Sequence, residues 1–182
     1  MKPKQWAHHR FEELFRLKHG YAFPSESFAD AGAHILVTPG NFHEQGGFRH
    51  RGDNEKYFVG EIPPEYILRD DDLMVVMTEQ AEGLLGSAAY APTSNRYLHN
   101  QRLGRVVDLD ERTVSKRYLY FLFNSLPVRR KISVSASGTK VRHSSPDRIG
   151  DVEISLPPLP EQQKIADILG TWDEALEKLD AL

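Results

Sequence analysis

Arginines set beside glycine, and an Asn-Gln pair flanked by arginines, are the side chains of this sequence best suited to gripping and reading a polyanion. In Phe48-Arg49-His50-Arg51-Gly52, Arg49 and Arg51 each offer a planar donor fork that matches guanine O6/N7 or a phosphate, and Gly52 allows close backbone approach. Further along, Arg96, Asn100, Gln101 and Arg102 combine cations with amides, and an amide carries the donor–acceptor pair that the N6/N7 edge of adenine requires. A third segment, Ser133 to Ser145, places small hydroxyl residues around Gly138 together with Lys140, Arg142 and His143. Hydroxyls, backbone N–H groups and cations hold phosphates without reading sequence. Each segment has a plainer alternative. The first is equally an ordinary surface loop, the amides of the second can serve neighbouring backbone groups, and the third can be a turn between helix and strand.

The charge distribution is compatible with the first set of readings, although a charge run is more often a solvated face. The 182 residues carry a net charge of −3, which is unpromising for a nucleic-acid binder until it is divided along the chain. Residues 1–82 hold 9 basic and 14 acidic side chains, whereas residues 83–146 hold 11 basic and 3 acidic, a local net of +8. No acid occurs between Glu111 and Asp147. Segregation of this kind sets the field that a polyanion meets.

Catalytic patterns fail on their details. Pro146-Asp147 followed by Glu153-Ile154-Ser155 has the outline of a Pro-Asp…Glu-x-Lys nuclease centre, but Ser155 stands where the water-activating lysine belongs. No glycine-rich loop for S-adenosylmethionine, no Asn-Pro-Pro-Tyr methyltransferase motif and no phosphate-binding Gly-x4-Gly-Lys-Ser/Thr loop is present. The eight histidines are dispersed without metal-ligand spacing, and Asp70-Asp71-Asp72 reads as a polar turn ahead of a buried strand. With no cysteine, disulfides and thiolate metal sites are excluded, which suits a reducing cytoplasm. No apolar run reaches membrane-spanning length, and the opening residues lack the apolar core of an export signal.

The elements that must position these groups are legible in outline. Phe11, Leu14 and Phe15 recur at helical steps, predicting a short helix that stops near Gly20. Strands are expected at His34–Thr38, Asp72–Thr78, Leu85–Tyr90, Leu103–Leu109 and Val152–Leu156, and 45–54 as an exposed loop. Ser115 is placed to cap a helix that Pro127 breaks, with a second short helix or turn at Val128–Val134. Unalternated strands and helices predict a mixed α+β body. It ends at Pro157-Pro158-Leu159-Pro160, where proline stops a strand and then opens a helix, with Glu161 complementing the helix dipole. Beyond, Ile165, Ile168, Trp172, Ala175, Leu179 and Leu182 follow alternating three- and four-residue steps, flanked by Leu169 and Leu176. Such a stripe packs on its own body or on another helix; acids at 167, 173, 174, 177 and 180 form a polar rim that suits the second.

The stretch from Ser155 to Leu179, with its Leu-Pro-Pro-Leu-Pro-Glu-Gln-Gln-Lys-Ile-Ala core, resembles the conserved region of specificity subunits of type I restriction-modification systems. Looser likeness extends to Trp6–Gly20, to Tyr97–Val107 as that family's central Asn-Gln strand, and to Ala136–Ile149. The resemblance implies one target recognition domain over residues 1–157 and the start of a long coiled-coil-type helix over 158–182, half of a subunit that usually has two of each. It implies double-stranded DNA as ligand, with modification (methyltransferase) and restriction subunits as partners. The S-adenosylmethionine, ATP and magnesium would act on those chains, and no cofactor on this one. Arg49, Arg51, Arg96, Asn100, Gln101, Arg102, Lys140 and Arg142 are the expected DNA contacts. Ile165, Ile168, Trp172, Leu176 and Leu179 are expected to meet a second half-subunit or a second copy of the chain. A non-catalytic, cytoplasmic prokaryotic module is therefore the expectation, against a small nuclease or methyltransferase fragment and a protein-only interaction module.

Overall fold

A computed structural model describes residues 6–79, 82–92, 95–138 and 141–180. The chain runs β1 (Ala7–Arg10), β2 (Arg16–His19), β3 (Phe28–Ala29), β4 (His34–Val37), β5 (Tyr57–Phe58), β6 (Leu73–Val76), β7 (Ala88–Tyr90), β8 (Tyr97–His99) and β9 (Leu103–Val107). It continues through α1 (Lys116–Asn124), α2 (Leu126–Ser135), α3 (Pro146–Gly150), β10 (Glu153–Leu156) and α4 (Leu159–Asp180). Three sheets form. β1 and β10 pair antiparallel; β2-β9-β6-β7 is an antiparallel sheet; β3-β5-β4-β8 is antiparallel except for the parallel pair β4 and β8.

β6 explains how the layers stack. Its four residues are all buried because both faces of its sheet are covered. Leu73 and Val75 point into a core shared with Phe11, Phe15, Leu119, Phe123, Ile132 and Ile149, so the helices lie on that face. Met74 and Val76 point the other way, into a core shared with Ile35, Val37 and Tyr97 of the third sheet. The period-two alternation of a strand thus feeds two cores, and the run reads as continuously apolar. On the far side of the third sheet, Leu36, Phe58 and Leu98 pack with Phe23, beneath Tyr66 and Ile67. The mixed α+β body is the architecture that the unalternated elements predict.

Two expectations need correction. Phe11, Leu14 and Phe15 form no continuous helix; a single 3-10 turn over Phe11–Glu13 joins β1 to β2. The backbone there is claimed by partners remote in sequence, with Phe11 N–H donating to Val152 O (3.2 Å) and Asp110 N–H to Leu14 O (2.8 Å). The three aromatic rings still converge, Phe11 and Phe15 meeting Phe123 at 4.9 and 5.7 Å. Nor is 97–107 one strand. β8 ends at His99, the chain turns a corner at 100–102, and β9 continues in a different sheet. Gly20 makes the corner possible: a Cβ there would lie 2.0 Å from Asn100 O.

Local signals place the helices well. Ser115 Oγ accepts from Tyr118 N–H (3.4 Å) and caps α1. α1 ends at Asn124, and Pro127 sits in the first turn of α2 rather than breaking α1. α4 spans 22 residues, about 33 Å at 1.5 Å per residue. No helix among the described residues is long and apolar enough to cross a membrane.

Candidate nucleic-acid interface

The loop that carries Arg49 and Arg51 is built on a buried polar pair. Asn41, 1% exposed, accepts at Oδ1 from Thr38 N–H (3.0 Å) and Thr38 Oγ1–H (3.1 Å). Its Nδ2 donates to Glu55 Oε2 (2.9 Å) and Arg49 O (3.4 Å). Glu55 Oε1 in turn accepts from Arg51 N–H (2.8 Å), and Arg49 N–H donates to Asn41 O (2.8 Å). Backbone at both arginines is therefore fixed, while the Arg49 side chain is exposed and Arg51 half-buried against Gly40. Phe48 closes the loop edge-on to Tyr97 at 5.3 Å.

The second and third segments meet across the end of β6. Met77 N–H donates to Arg102 O (2.9 Å), and Met77 O accepts from Ser144 N–H (2.8 Å). Glu79 N–H donates to Arg142 O (2.9 Å), and Thr78 bridges to His143. The corner at 100–102 and residues 142–144 thus lie on opposite sides of one extended stretch. Tyr97, which the first loop touches, opens β8, the strand that leads into that corner.

Within this frame the expected contacts separate. Gln101 and Arg96 are exposed, and Arg102 is partly exposed. Arg16, Arg105, Arg112 and Arg117 all bind a carboxylate, whereas Arg49, Arg51, Arg96 and Arg102 form no ion pair among the described residues. Asn100 is placed otherwise. It is 7% exposed, and its Oδ1 accepts from Arg102 N–H (3.0 Å), so its amide builds the corner, the plainer of its two readings. Arg142 donates to Ser133 Oγ (2.6 Å) and to Ser133 O, tying the segment to the end of α2 and leaving its guanidinium half-buried. Lys140 lies outside the described residues.

Three supporting residues escaped the sequence. His99, fully buried, donates from Nε2 to Leu103 O (3.0 Å) across the corner, and its Nδ1 finds no partner among the described residues. Burial, aided by the nearby Arg105 and Lys18 charges, pushes its pKa down to about 4 against the pull of the Leu103 carbonyl and Asp72. Arg129 donates to Leu85 O (2.8 Å), Glu44 O (2.9 Å) and Gly83 O, clasping two loops to α2. Burial lowers its pKa, and the acids Glu44 and Glu79 oppose the shift. The third is Asn41, whose buried amide holds the arginine loop. No pattern in the sequence pairs Arg129 with carbonyls tens of residues away. No cluster of three or more His, Asp or Glu among the described residues is arranged to hold a metal ion.

α4 divides into two faces. Gln162, Ala166 and Gly170 are buried against the body, and Ile165 is half-buried against the same core. Ile168, Trp172, Leu176 and Leu179 remain 56–66% exposed. Of the five stripe residues, Ile165 is thus already used by its own body.

Comparison with known proteins agrees with this architecture. The specificity subunit of the EcoBI type I restriction enzyme of Escherichia coli is 31% identical over 122 residues, 66% of this chain and 24% of that protein. The type I restriction-modification S subunit of M. genitalium superposes on all of this chain and 42% of its own, with a TM-score of 0.68 at 16% identity. The HsdS subunit of Thermoanaerobacter tengcongensis covers all of this chain and 40% of its own, with a TM-score of 0.63 at 18% identity. These two share the fold, and the chain spans about a quarter to two fifths of the length of its relatives. A family model for the type I restriction modification DNA specificity domain matches residues 3–181. By that match, over nearly its whole length, the chain belongs to the type I restriction modification DNA specificity domain family.

Proposed function

We propose that this chain is a non-catalytic, sequence-specific double-stranded DNA-binding module, one half of a specificity subunit that reads one part of a two-part target. Residues 1–157 form the recognition domain, and 158–182 the helix that meets a second half-subunit or a second copy. The module presents its site to modification and restriction subunits in the cytoplasm. Adenine methylation with S-adenosylmethionine and ATP- and magnesium-dependent cleavage belong to those chains. One observation carries the reading most: Arg49, Arg51, Arg96 and Arg102 have neither an ion pair nor a side-chain hydrogen bond among the described residues, and Arg102 lies beside the exposed Gln101 at the corner after β8. Arg69 and Arg130 are equally unpaired among the described residues, but Arg10, Arg16, Arg105, Arg112 and Arg117 are neutralised by carboxylates, and Arg129, Arg142 and Arg148 are held by carbonyl or hydroxyl oxygens, so these four stand available for phosphates and base edges.

Binding to duplex DNA as a function of salt tests it. Four arginines on phosphates give log K a slope of roughly −3.6 against log salt. Arg102→Ala is expected to flatten that slope by about 0.9 and weaken all sequences alike. Gln101→Ala is expected instead to relax the base preference, by about 1–3 kcal/mol at one position. Equal loss on every sequence would remove Gln101 from base reading. If the chain ignores duplex DNA at low salt even with modification subunits supplied, the reading is lost. A methylation map of the host genome with and without the gene identifies the target.

A further inference from the structure

Gln162 is the most completely engaged side chain at the root of α4. It is fully buried, and its three hydrogen bonds at the joint all go to backbone. Oε1 accepts from Ser115 N–H (3.0 Å), while Nε2 donates to Thr113 O (2.9 Å) and to Pro157 O (2.9 Å). Those three groups belong to the turn before α1, the cap of α1 and the proline stop before α4. Prolines 157, 158 and 160 have no N–H with which to tie the joint themselves. One amide therefore binds the first turn of α4 to the body at three points.

The packing above it follows the same face. Ala166 and Gly170 lie four and eight residues on, both buried. A Cβ at Gly170 would lie 2.0 Å from Arg117 Nη2, and Arg117 Nη1 pairs with Asp167 Oδ1 at 2.6 Å. Mid-helix glycine is costly, so its space is used by close approach of α1. Past Gly170 the described side chains of the helix are exposed except for Asp173, which is partly covered. From Gln162 to Asp180 the arm measures about 27 Å, and a swing of about 10° at its root moves the tip by about 5 Å.

We propose that Gln162 is a positioning residue that locks the direction in which α4 leaves the body. It thereby sets the geometry between the arginine-bearing surface and whatever engages Ile168, Trp172, Leu176 and Leu179. The lock stands on contacts within this chain alone; its use in aligning two recognition halves rests on the function proposed above. Glu61→Cys and Glu174→Cys, both at exposed sites, give two unique labelling positions because the chain has no cysteine. Spin-label distances are read with labelled chain diluted into a large excess of unlabelled chain, so that only distances within one molecule count.

The parent is expected to give one narrow distribution. Gln162→Met, equal in length but without polar atoms, should widen it roughly twofold, since a satisfied buried network rigidifies what it joins. Gln163→Met, at the exposed neighbour, should leave the width unchanged. If Gln162→Met does not unfold cooperatively, Gln162→Glu decides in the same way, because it keeps the acceptor for Ser115 N–H and loses both donors. A distribution as narrow as the parent's in the folded variant overturns the proposal. Broadening in a chain that binds no DNA upholds the lock and refutes only its role in alignment. In an assembled enzyme, methylation of the two-part site should fall while the isolated chain's DNA affinity stays unchanged.

Discussion

Asn41→Ala is expected to cost about 3 kcal/mol of folding stability and to weaken duplex binding about tenfold. The side chain is nearly inaccessible and holds four partners at once: Thr38 N–H, Thr38 Oγ1–H, Glu55 and Arg49 O. Alanine leaves the buried Glu55 carboxylate with one oxygen unmatched and strands the Thr38 N–H. A deserted buried donor or acceptor costs about 1–3 kcal/mol, and a deserted charge more. The same change frees the backbone at Arg49, so both loop arginines must be ordered again on each binding event. Urea unfolding supplies the check through a lower midpoint at constant slope. Removing Glu55 as well should restore part of the loss, because the orphaned carboxylate goes with it. Strict additivity of Asn41→Ala and Glu55→Ala would show that the pair does not hold the loop.

Acid is expected to act through His99. Unfolded, the imidazole takes its proton near pH 6.5; folded, it resists until about pH 4. Between those values the unfolded chain binds more protons, so stability is complete above pH 6.5 and drains away as pH falls through the window. The depth is about 3 kcal/mol for His99 by itself. Lys18 and Arg105 face the ring and repel the added proton, whereas Asp72 favours it. His99→Gln retains a donor for Leu103 O but cannot titrate. Stability of the two proteins should converge as pH drops from 6.5 to 4, and parallel curves would show that the ring is not the titrating group. Because His99 spans the corner that carries Gln101 and Arg102, DNA affinity should decline over the same interval in the parent and less in the variant.

What could be seen in the sequence was whatever local physics decides. The proline stop and Glu161 announced α4, Ser115 announced α1, and the apolar run from Leu73 announced β6. The 3-10 turn at Phe11 was misread because three aromatic and aliphatic residues at helical spacing also suit a turn whose neighbours pair with distant strands. The corner at Asn100 was hidden because strand-forming residues lie on both sides of it, and only Gly20, eighty positions earlier, makes room for the bend. Site chemistry was legible by residue type and not by environment. Gln101 is exposed and Arg102 partly so, while Asn100 and Arg142, equally apt on paper, spend polar atoms on backbone and Ser133. Electrostatic composition can nominate a cation; only the fold reveals whether an acid or a carbonyl has already taken it.

The pairing of β1 with β10 has a topological outcome. Ala7 lies opposite Leu156, so the polypeptide enters the body within one strand spacing of where it departs for α4. Entry and departure share a single doorway. A unit threaded in this way can be spliced into a longer chain, or repeated head to tail, with every rod rooted at the same edge.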